Sequence, residues 1–322
     1  MVNPPVSIII PCKEIDSLAV KCIEECLKLD YSNFEILILP DDFNKERLEK
    51  FDDRKIRIIE TSQVKPAVKR NLGMEEAVGT FFAFIDSDAY PKKDWLTNAI
   101  KYFKNETIGI VGGPQLTPRE ANFDEHVSGY VLSNFFVSGF ANVRYRIAKS
   151  QFVKELPSCN YISRREVSPK YKEGILTAED SKFCFDVARK GYSIFYANDV
   201  IVHHHRRDTT KKHLKQMYIY GRDISWLAKE EFSFDMLYFS LLTLFVLGTL
   251  IGALLSLFYV GVRNGFAFFM DLYFLIIILT SFHKNLKMSL SVASISVATH
   301  FAYGVGFLIG LMTKNKNTVY IK

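Results

Sequence analysis

Two aspartates, Asp86 and Asp88, follow an apolar run, Phe81-Phe82-Ala83-Phe84-Ile85. Side chains alternate along a strand, so the two carboxylates point the same way. Two hard oxygen donors converging at a strand tip suit a divalent cation such as Mg²⁺ or Mn²⁺. A turn would use the same residue types for a plainer reason, since Asp and Ser favour turns. A second acidic pair, Glu179-Asp180, stands just before an expected helix. There a carboxylate either caps the helix or takes a proton during catalysis. Lys69 and Arg70 fall one turn into another expected helix, placed to meet the negative groups of a nucleotide or to form a solvated face. His203-His204-His205 precede Arg206-Arg207. On an extended chain His203 and His205 share one side, and His203 is the candidate third metal ligand.

The elements that must position these residues can be read from hydrophobic period. Residues 6–10, 34–39, 56–59, 81–85 and 108–111 read as strands, and 194–196 and 200–202 as shorter ones. Residues 16–29, 45–51, 66–78 and 95–103 read as helices, followed by a helix over 181–189 stopped by Gly191. A basic helix is expected over 210–226. Alternation of strands and helices at this spacing predicts an α/β fold with a doubly wound, mostly parallel sheet. The acids then fall at the carboxyl ends of the strands, where such sheets bind ligands.

The chain has 322 residues, 48% of them hydrophobic and unevenly spread. From 236 to 262 there is no charged residue, and that stretch is long enough to cross a bilayer. Residues 265–282, interrupted by Asp271, and 288–313, softened by serines and His300, are further candidates. Buried ionisable groups in such segments are costly, so either Asp271 and His300 pair or, as preferred here, Asp271 lies near an interface because its segment is short. The domains expected are therefore a catalytic domain over 1–230 and a membrane domain over 231–322. No cleavable signal peptide is expected at the start, so a domain before the first span stays cytoplasmic. Lys284 and Lys287 then fall inside, as the positive-inside rule prefers. Three full spans would place Lys314, Lys316 and Lys322 outside, against that rule. Either the rule is weak here, or one of the last two stretches does not cross. The formal net charge of +6 fits attraction to anionic lipid better than to nucleic acid. Lys211, Lys212, Lys215 and Arg222 on the basic helix read as headgroup or lipid-phosphate contacts, or as a solvated face marking the cytoplasmic side. The five cysteines form no Cys-x-x-Cys pair, which excludes a zinc framework and fits reduced thiols.

The order of Ile8-Ile9-Ile10-Pro11, Asp41-Asp42, Lys69-Arg70-Asn71-Leu72-Gly73, Phe84-Ile85-Asp86-Ser87-Asp88 and Glu179-Asp180 resembles the family 2 glycosyltransferases. The resemblance covers about residues 5 to 230, the size of one α/β domain. The histidine run, Tyr220-Gly221-Arg222 and Gly304-Val305-Gly306 look like a membrane-attached branch of that family, some members of which build extracellular polysaccharide or lipid-linked sugars. The resemblance implies a GT-A fold and a metal-dependent, inverting transfer of sugar from a nucleoside-diphosphate donor to a lipid-linked acceptor. It implies a multi-pass protein of the cell membrane with Mg²⁺ or Mn²⁺ as cofactor. Asp180 would be the base. Asp88 would hold the metal, and Asp86 the ribose or the metal. Pro11, Glu14, Asp41 and Arg70 would meet the nucleotide sugar. Lys215 and Arg222 would meet the acceptor's headgroup.

The chain departs from the family pattern at three places. Lys13-Glu14 stands where the family has Asn-Glu. Pro40-Asp41-Asp42-Phe43-Asn44 replaces Asp-Asp-Gly-Ser. Gln216 and Trp226 do not complete the Gln-x-x-Arg-Trp of processive members, which argues against a cellulose-synthase-like polymerase. Two other readings stand beside this one. In a phosphotransferase Asp86 would be the nucleophile, but Tyr90 occupies the position where such enzymes usually place Thr. In a catalytically silent membrane scaffold the fold would bind a nucleotide sugar without turnover.

Overall fold

The computed structural model describes residues 3–42, 54–175, 177–231 and 234–315, and the helix expected over 45–51 lies outside them. The strands are β1 Val6–Pro11, β2 Phe34–Leu39, β3 Ile56–Ile58, β4 Phe81–Phe84, β5 Ala89–Pro91, β6 Ile108–Gly112, β7 Gln115–Leu116, β8 Gln151–Val153, β9 Tyr161–Arg164, β10 Ser193–Tyr196 and β11 Val202–His204. The α-helices are α1 Ser17–Leu27, α2 Pro66–Glu76, α3 Trp95–Ile100, α4 Phe123–Ser133, α5 Phe135–Ser138, α6 Glu179–Arg189, α7 Thr210–Glu230, α8 Leu241–Ser256, α9 Val260–Thr280 and α10 Leu286–Met312. The chain forms two compact units: Met1–Pro118 with Arg146–His205, and Arg119–Tyr145 with Arg206–Lys322.

The first unit is built on an eight-stranded mixed sheet in the order β3-β2-β1-β4-β9-β6-β10-β8. β1 pairs in parallel with β2 and β4, and β10 with β6. Unbroken apolar runs at β1, β2 and β4 are what strands covered on both faces require, and Ile8, Ile9, Ile36, Leu37, Ala83 and Phe84 are fully buried. Asp16 starts α1 as expected of an N-cap, its Oδ1 accepting from the Leu18 and Ala19 amides at 3.1 and 2.9 Å. Ala19, Cys22, Ile23 and Cys26, at helical spacing, seat that helix in the core. Sequence period did not reveal β5, β7, β8 or β9; of these β9 runs antiparallel between β4 and β6. It is part-polar, yet Ser163 is buried and the Arg164 guanidinium donates to the carbonyls of Phe103 and Ile108. A separate three-stranded sheet, β5-β11-β7, joins the chain after β4 to the histidine run.

In the second unit α7 packs along α10. Gly221 lies against the Tyr303 carbonyl, Gly306 against that of Tyr218 and Gly310 against that of Arg222. A Cβ at these glycines would fall 2.2, 2.1 and 2.5 Å from those oxygens, so no side chain fits the seam. Three helices are long and apolar enough to cross a membrane: Leu237–Ser256, Val260–Thr280 and Leu286–Met312. His300 does not pair with Asp271; its ring meets the Tyr273 hydroxyl at 2.8 Å and the Phe136 carbonyl at 2.9 Å. Asp271 is exposed on α9.

Candidate active site

The end of β4 delivers Asp86 and Asp88. The chain turns at once, Ala89 N–H donating to the Asp86 carbonyl at 3.0 Å, and continues as β5. Turn and site are therefore the same residues. β5 pairs antiparallel with β11, setting His204 opposite Ala89 and His203 opposite Tyr90. That register brings His204, rather than His203, to the acids. His204 Nε2 lies 3.1 Å from Asp88 Oδ1, and donor atoms of Asp86, Asp88 and His204 all fall within 4.8 Å of one another. His203 stacks on the Tyr90 ring at 5.1 Å between centroids.

The far side of the His204 ring fixes its tautomer. Nδ1 lies 2.6 Å from Oε1 of Gln115, which also accepts the Cys159 thiol at 2.9 Å. An amide oxygen accepts and cannot donate, so in the neutral ring Nδ1 carries the proton and Nε2 keeps its lone pair toward Asp88. Two lone pairs facing each other at that distance are relieved by a cation between them. Two carboxylates and one imidazole, part-exposed at a strand tip, are donors that suit Mg²⁺ or Mn²⁺.

Arg70 links this group to the second acidic pair. It is buried on α2, with one guanidinium nitrogen 2.7 Å from Asp86 Oδ1 and the other 3.3 Å from Glu179 Oε1. Burial works against its charge, but Asp86, Asp180 and Glu179 more than offset this and hold it protonated. Its neighbours in sequence grip other elements. Lys69 Nζ donates to the Cys12 and Leu39 carbonyls at 2.5 and 3.2 Å and pairs with Asp41, tying the ends of β1 and β2 together. Asn71 exchanges hydrogen bonds with the Tyr171 backbone at 3.0 and 2.7 Å. Neither Lys69 nor Arg70 belongs to a solvated helix face.

Glu179 and Asp180 are the first two residues of α6 itself; Ala178 holds the capping position and makes no side-chain bond. Asp180 is held from elsewhere, its Oδ2 accepting the Ser158 amide at 3.0 Å. Among the described residues, Asp180 Oδ1 is buried without a hydrogen-bond partner, as is Glu179 Oε2. Burial raises the Asp180 carboxyl above the ordinary range, against the pull of Arg70 and Ser158. Burial, and then the charge of Asp180, push Glu179 up to about 8 despite Arg70. Two adjacent acids in unequal surroundings can thus divide into a neutral one and a charged one.

The remaining expected residues are placed as follows. Pro11 ends β1 and is buried, whereas Glu14 is exposed just beyond it. Asp41 follows β2 and is oriented by Lys69. Lys215 and Arg222 lie on α7 in the other unit. Lys215 is exposed, while Arg222 donates to the fully buried Asp223 at 2.9 and 2.8 Å and stacks over Trp226 at 4.5 Å. His204, Gln115, Asn71 and Ser158 are the site residues that sequence reasoning passed over.

Comparison with known proteins bears on the family and the fold. The model of the family described as "Glycosyl transferase family 2" matches residues 7–171, just over half of the chain. Glycosyltransferase AglE of Haloferax volcanii is 25% identical over 217 residues, covering 63% of this chain and 68% of that protein. An uncharacterized glycosyltransferase of Rickettsia felis is 33% identical over 137 residues, 41% of this chain; the match spans only 23% of that longer protein. Among solved structures, the mannosyltransferase PcManGT from Pyrobaculum calidifontis, in complex with GDP-Man and Mn²⁺, superposes with a TM-score of 0.64. That superposition covers 94% of this chain and 87% of the other at 14% identity, a likeness of fold.

Proposed function

The chain belongs to glycosyl transferase family 2, and from that premise we propose that it moves a sugar from a nucleoside-diphosphate donor to a hydroxyl or phosphate oxygen of a lipid-linked acceptor, with inversion at the anomeric carbon. One observation carries the reading: Arg70 bridges the Asp86–Asp88–His204 group to the buried Glu179–Asp180 pair. The reaction needs a charged leaving group held at one point and a base at another, and the two acidic groups supply these separately.

In this reading Asp86, Asp88 and His204 hold Mg²⁺ or Mn²⁺. Bound there, the ion would neutralise charge that builds on the departing diphosphate. The acceptor oxygen attacks the anomeric carbon as the bond from that carbon to the diphosphate oxygen breaks. The diphosphate leaves with the electron pair, and the proton of an acceptor hydroxyl passes to Asp180. A carboxylate whose affinity for protons is raised by burial is a better base than one in water. Glu179, protonated near neutrality, leaves Asp180 the charged member of the pair. Arg70 pairs with Asp86 and with Glu179 and keeps the two groups in register. Asp41, steadied by Lys69 beyond β2, and the β1 end at Pro11 and Glu14 meet the base and ribose. The apolar helices of the second unit hold the enzyme at the membrane where a lipid acceptor lies, with the first unit on the cytoplasmic side.

The test is mass spectrometry of lipid extracts from membranes carrying the protein, incubated with a panel of labelled nucleotide sugars. The reading predicts one sugar added to a lipid in a manner that needs Asp180. Label confined to free sugar or to water-soluble products would overturn the lipid acceptor, and no consumption of any donor would overturn the transfer itself.

A further inference from the structure

The longest apolar helix, α10, is not placed like the other two. In a window of each helix, 39% of its residues are buried within the protein, against 11% and 6% for the helices over Leu237–Ser256 and Val260–Thr280. Its partner is α7, which carries Lys211, Lys212, Lys215, Arg222, Asp223, Lys229 and Glu230. The contact follows the second half of α10 in register. His213 meets Thr299 at 3.0 Å, Tyr218 meets Gly306, Arg222 meets Gly310, and Lys229 Nζ donates to the Gly310 carbonyl at 2.8 Å.

A helix rises about 1.5 Å per residue. Were α10 to cross the bilayer from Leu286, Thr299 would lie about 20 Å and Gly310 about 36 Å along it. The hydrocarbon core is about 30 Å thick. α7 would then run through the far half of that core with its charges attached, a placement that ionised side chains strongly resist.

The two sides of α10 show what does cover it. Thr299, Tyr303, Gly306 and Gly310 form the seam with α7. At 100° per residue, the opposite side carries Leu290, Ser294, Val297, Phe301, Val305, Leu308 and Met312. Of these Leu290, Val305 and Met312 are 60%, 38% and 76% exposed. On α7, in turn, Lys211 and Lys215 are exposed on the side away from the buried His213, Met217 and Ile224. The layers run from an apolar stripe, through α10, to a basic outer face on α7. This is the pattern of a helix lying in the interface plane rather than one crossing it.

The geometry points to α10 as an in-plane helix, its Leu290–Met312 stripe seated in the acyl–headgroup boundary of the leaflet that also receives the start of α8. The apolar pair α8 and α9 alone enters the bilayer. The occupant of the stripe is lipid, because the stripe is continuous with α8 through Phe301, whose ring lies 5.9 Å from Phe245. One sequence feature then falls into place. Lys284, Lys287 and Lys314 lie on the same side as the basic helix, while Arg263 is the one charged residue between Ser256 and Asp271. None of this depends on the chemistry of the first unit.

The test uses the full chain in proteoliposomes of phosphatidylethanolamine and phosphatidylglycerol. Its five native cysteines are buried, which leaves introduced thiols to be labelled. Nitroxides are placed singly at Leu290→Cys, Ser294→Cys, Val305→Cys and Met312→Cys, with Leu250→Cys on α8 as the deep reference. Oxygen and nickel-chelate accessibility then gives each depth. The in-plane helix predicts one shared depth, about 5–10 Å into the boundary, for all four α10 sites. A spanning helix separates Leu290 from Met312 by about 33 Å along the membrane normal. Ser294 and Val305 reading as deep as Leu250, with Leu290 and Met312 shallow, would overturn the inference. So would four sites exposed only to water.

Discussion

Gln115 stands behind the His204 ring and decides which of its nitrogens faces Asp88. Replacing it with leucine keeps the volume and removes the acceptor that sits 2.6 Å from Nδ1. The ring is then free to carry its proton on Nε2, where it blocks a metal. Loss of a partner behind a metal-bound histidine typically costs about 10–100-fold in metal affinity, or about 1.4–2.7 kcal/mol. Because Gln115 is 3% exposed, water cannot take over its role. The Cys159 thiol and the His204 N–H also lose this acceptor, a folding cost of about 1–3 kcal/mol. The assay is titration of Mn²⁺ against purified full chain, reading free Mn²⁺ by electron paramagnetic resonance. Gln115→Leu should bind about 10–100-fold more weakly. Gln115→Glu, which still accepts from Nδ1, should recover most of the affinity. In a His204→Ala background Gln115→Leu should add nothing. An equal loss in both backgrounds, or unchanged Mn²⁺ affinity in a folded Gln115→Leu protein, would refute the tautomer argument.

Two further outcomes are expected. Arg70→Met removes the buried cation that faces the charged, buried Asp180 and the part-exposed Asp86, and a broken buried pair costs about 3–5 kcal/mol, seen as a lower denaturant midpoint; Asp180→Asn in that background should restore part of it, whereas Asp86, 31% exposed, contributes less. His213 is bonded to Ser128 at 2.8 Å and Thr299 at 3.0 Å, and burial, with Arg206 adding to it, pushes its pKa down from 6.5 to about 4. The folded state thus keeps the ring neutral while the unfolded chain protonates it, so this contribution is complete above pH 6.5 and is lost as pH falls toward 4. Thermal melts between those limits should fall more steeply for wild type than for His213→Gln.

Much of the site is written locally, and the rest is written in pairing. Asp86 and Asp88 were legible because an apolar run marks a buried strand and its end marks a ligand edge; β4 closes at Phe84, one residue before the expected 85. Residues 34–39 form a strand to the residue, since nothing competes with their apolar period. His204 was not legible. Strand alternation separates it from His203, but which of the two faces the acids depends on the register of β11 against β5, in a small sheet that hydrophobic period does not announce. Gln115 is a lone amide after Gly112-Gly113-Pro114, with no local pattern to mark it. β9 is not legible because Ser163 and Arg164 break its apolar pattern, and their hydrogen bonds within the fold compensate for that. Lys69 looked like one of many helix-surface lysines, and only the meeting of β1 and β2 beneath α2 makes it a buried tie. The third apolar stretch shows a limit of composition: length and hydropathy admit a span, while its partner's charges argue for a helix in the plane.

The central claim is that Asp180 takes the acceptor's proton opposite a diphosphate held at Asp86, Asp88 and His204. The most direct measurement compares wild type with Asp180→Asn for two quantities, affinity for the nucleotide-sugar donor and rate of transfer to the lipid acceptor. The account predicts donor affinity within a few-fold of wild type and transfer slowed about 10²–10⁴-fold, the usual worth of a positioned base. Transfer at the wild-type rate by Asp180→Asn would contradict it.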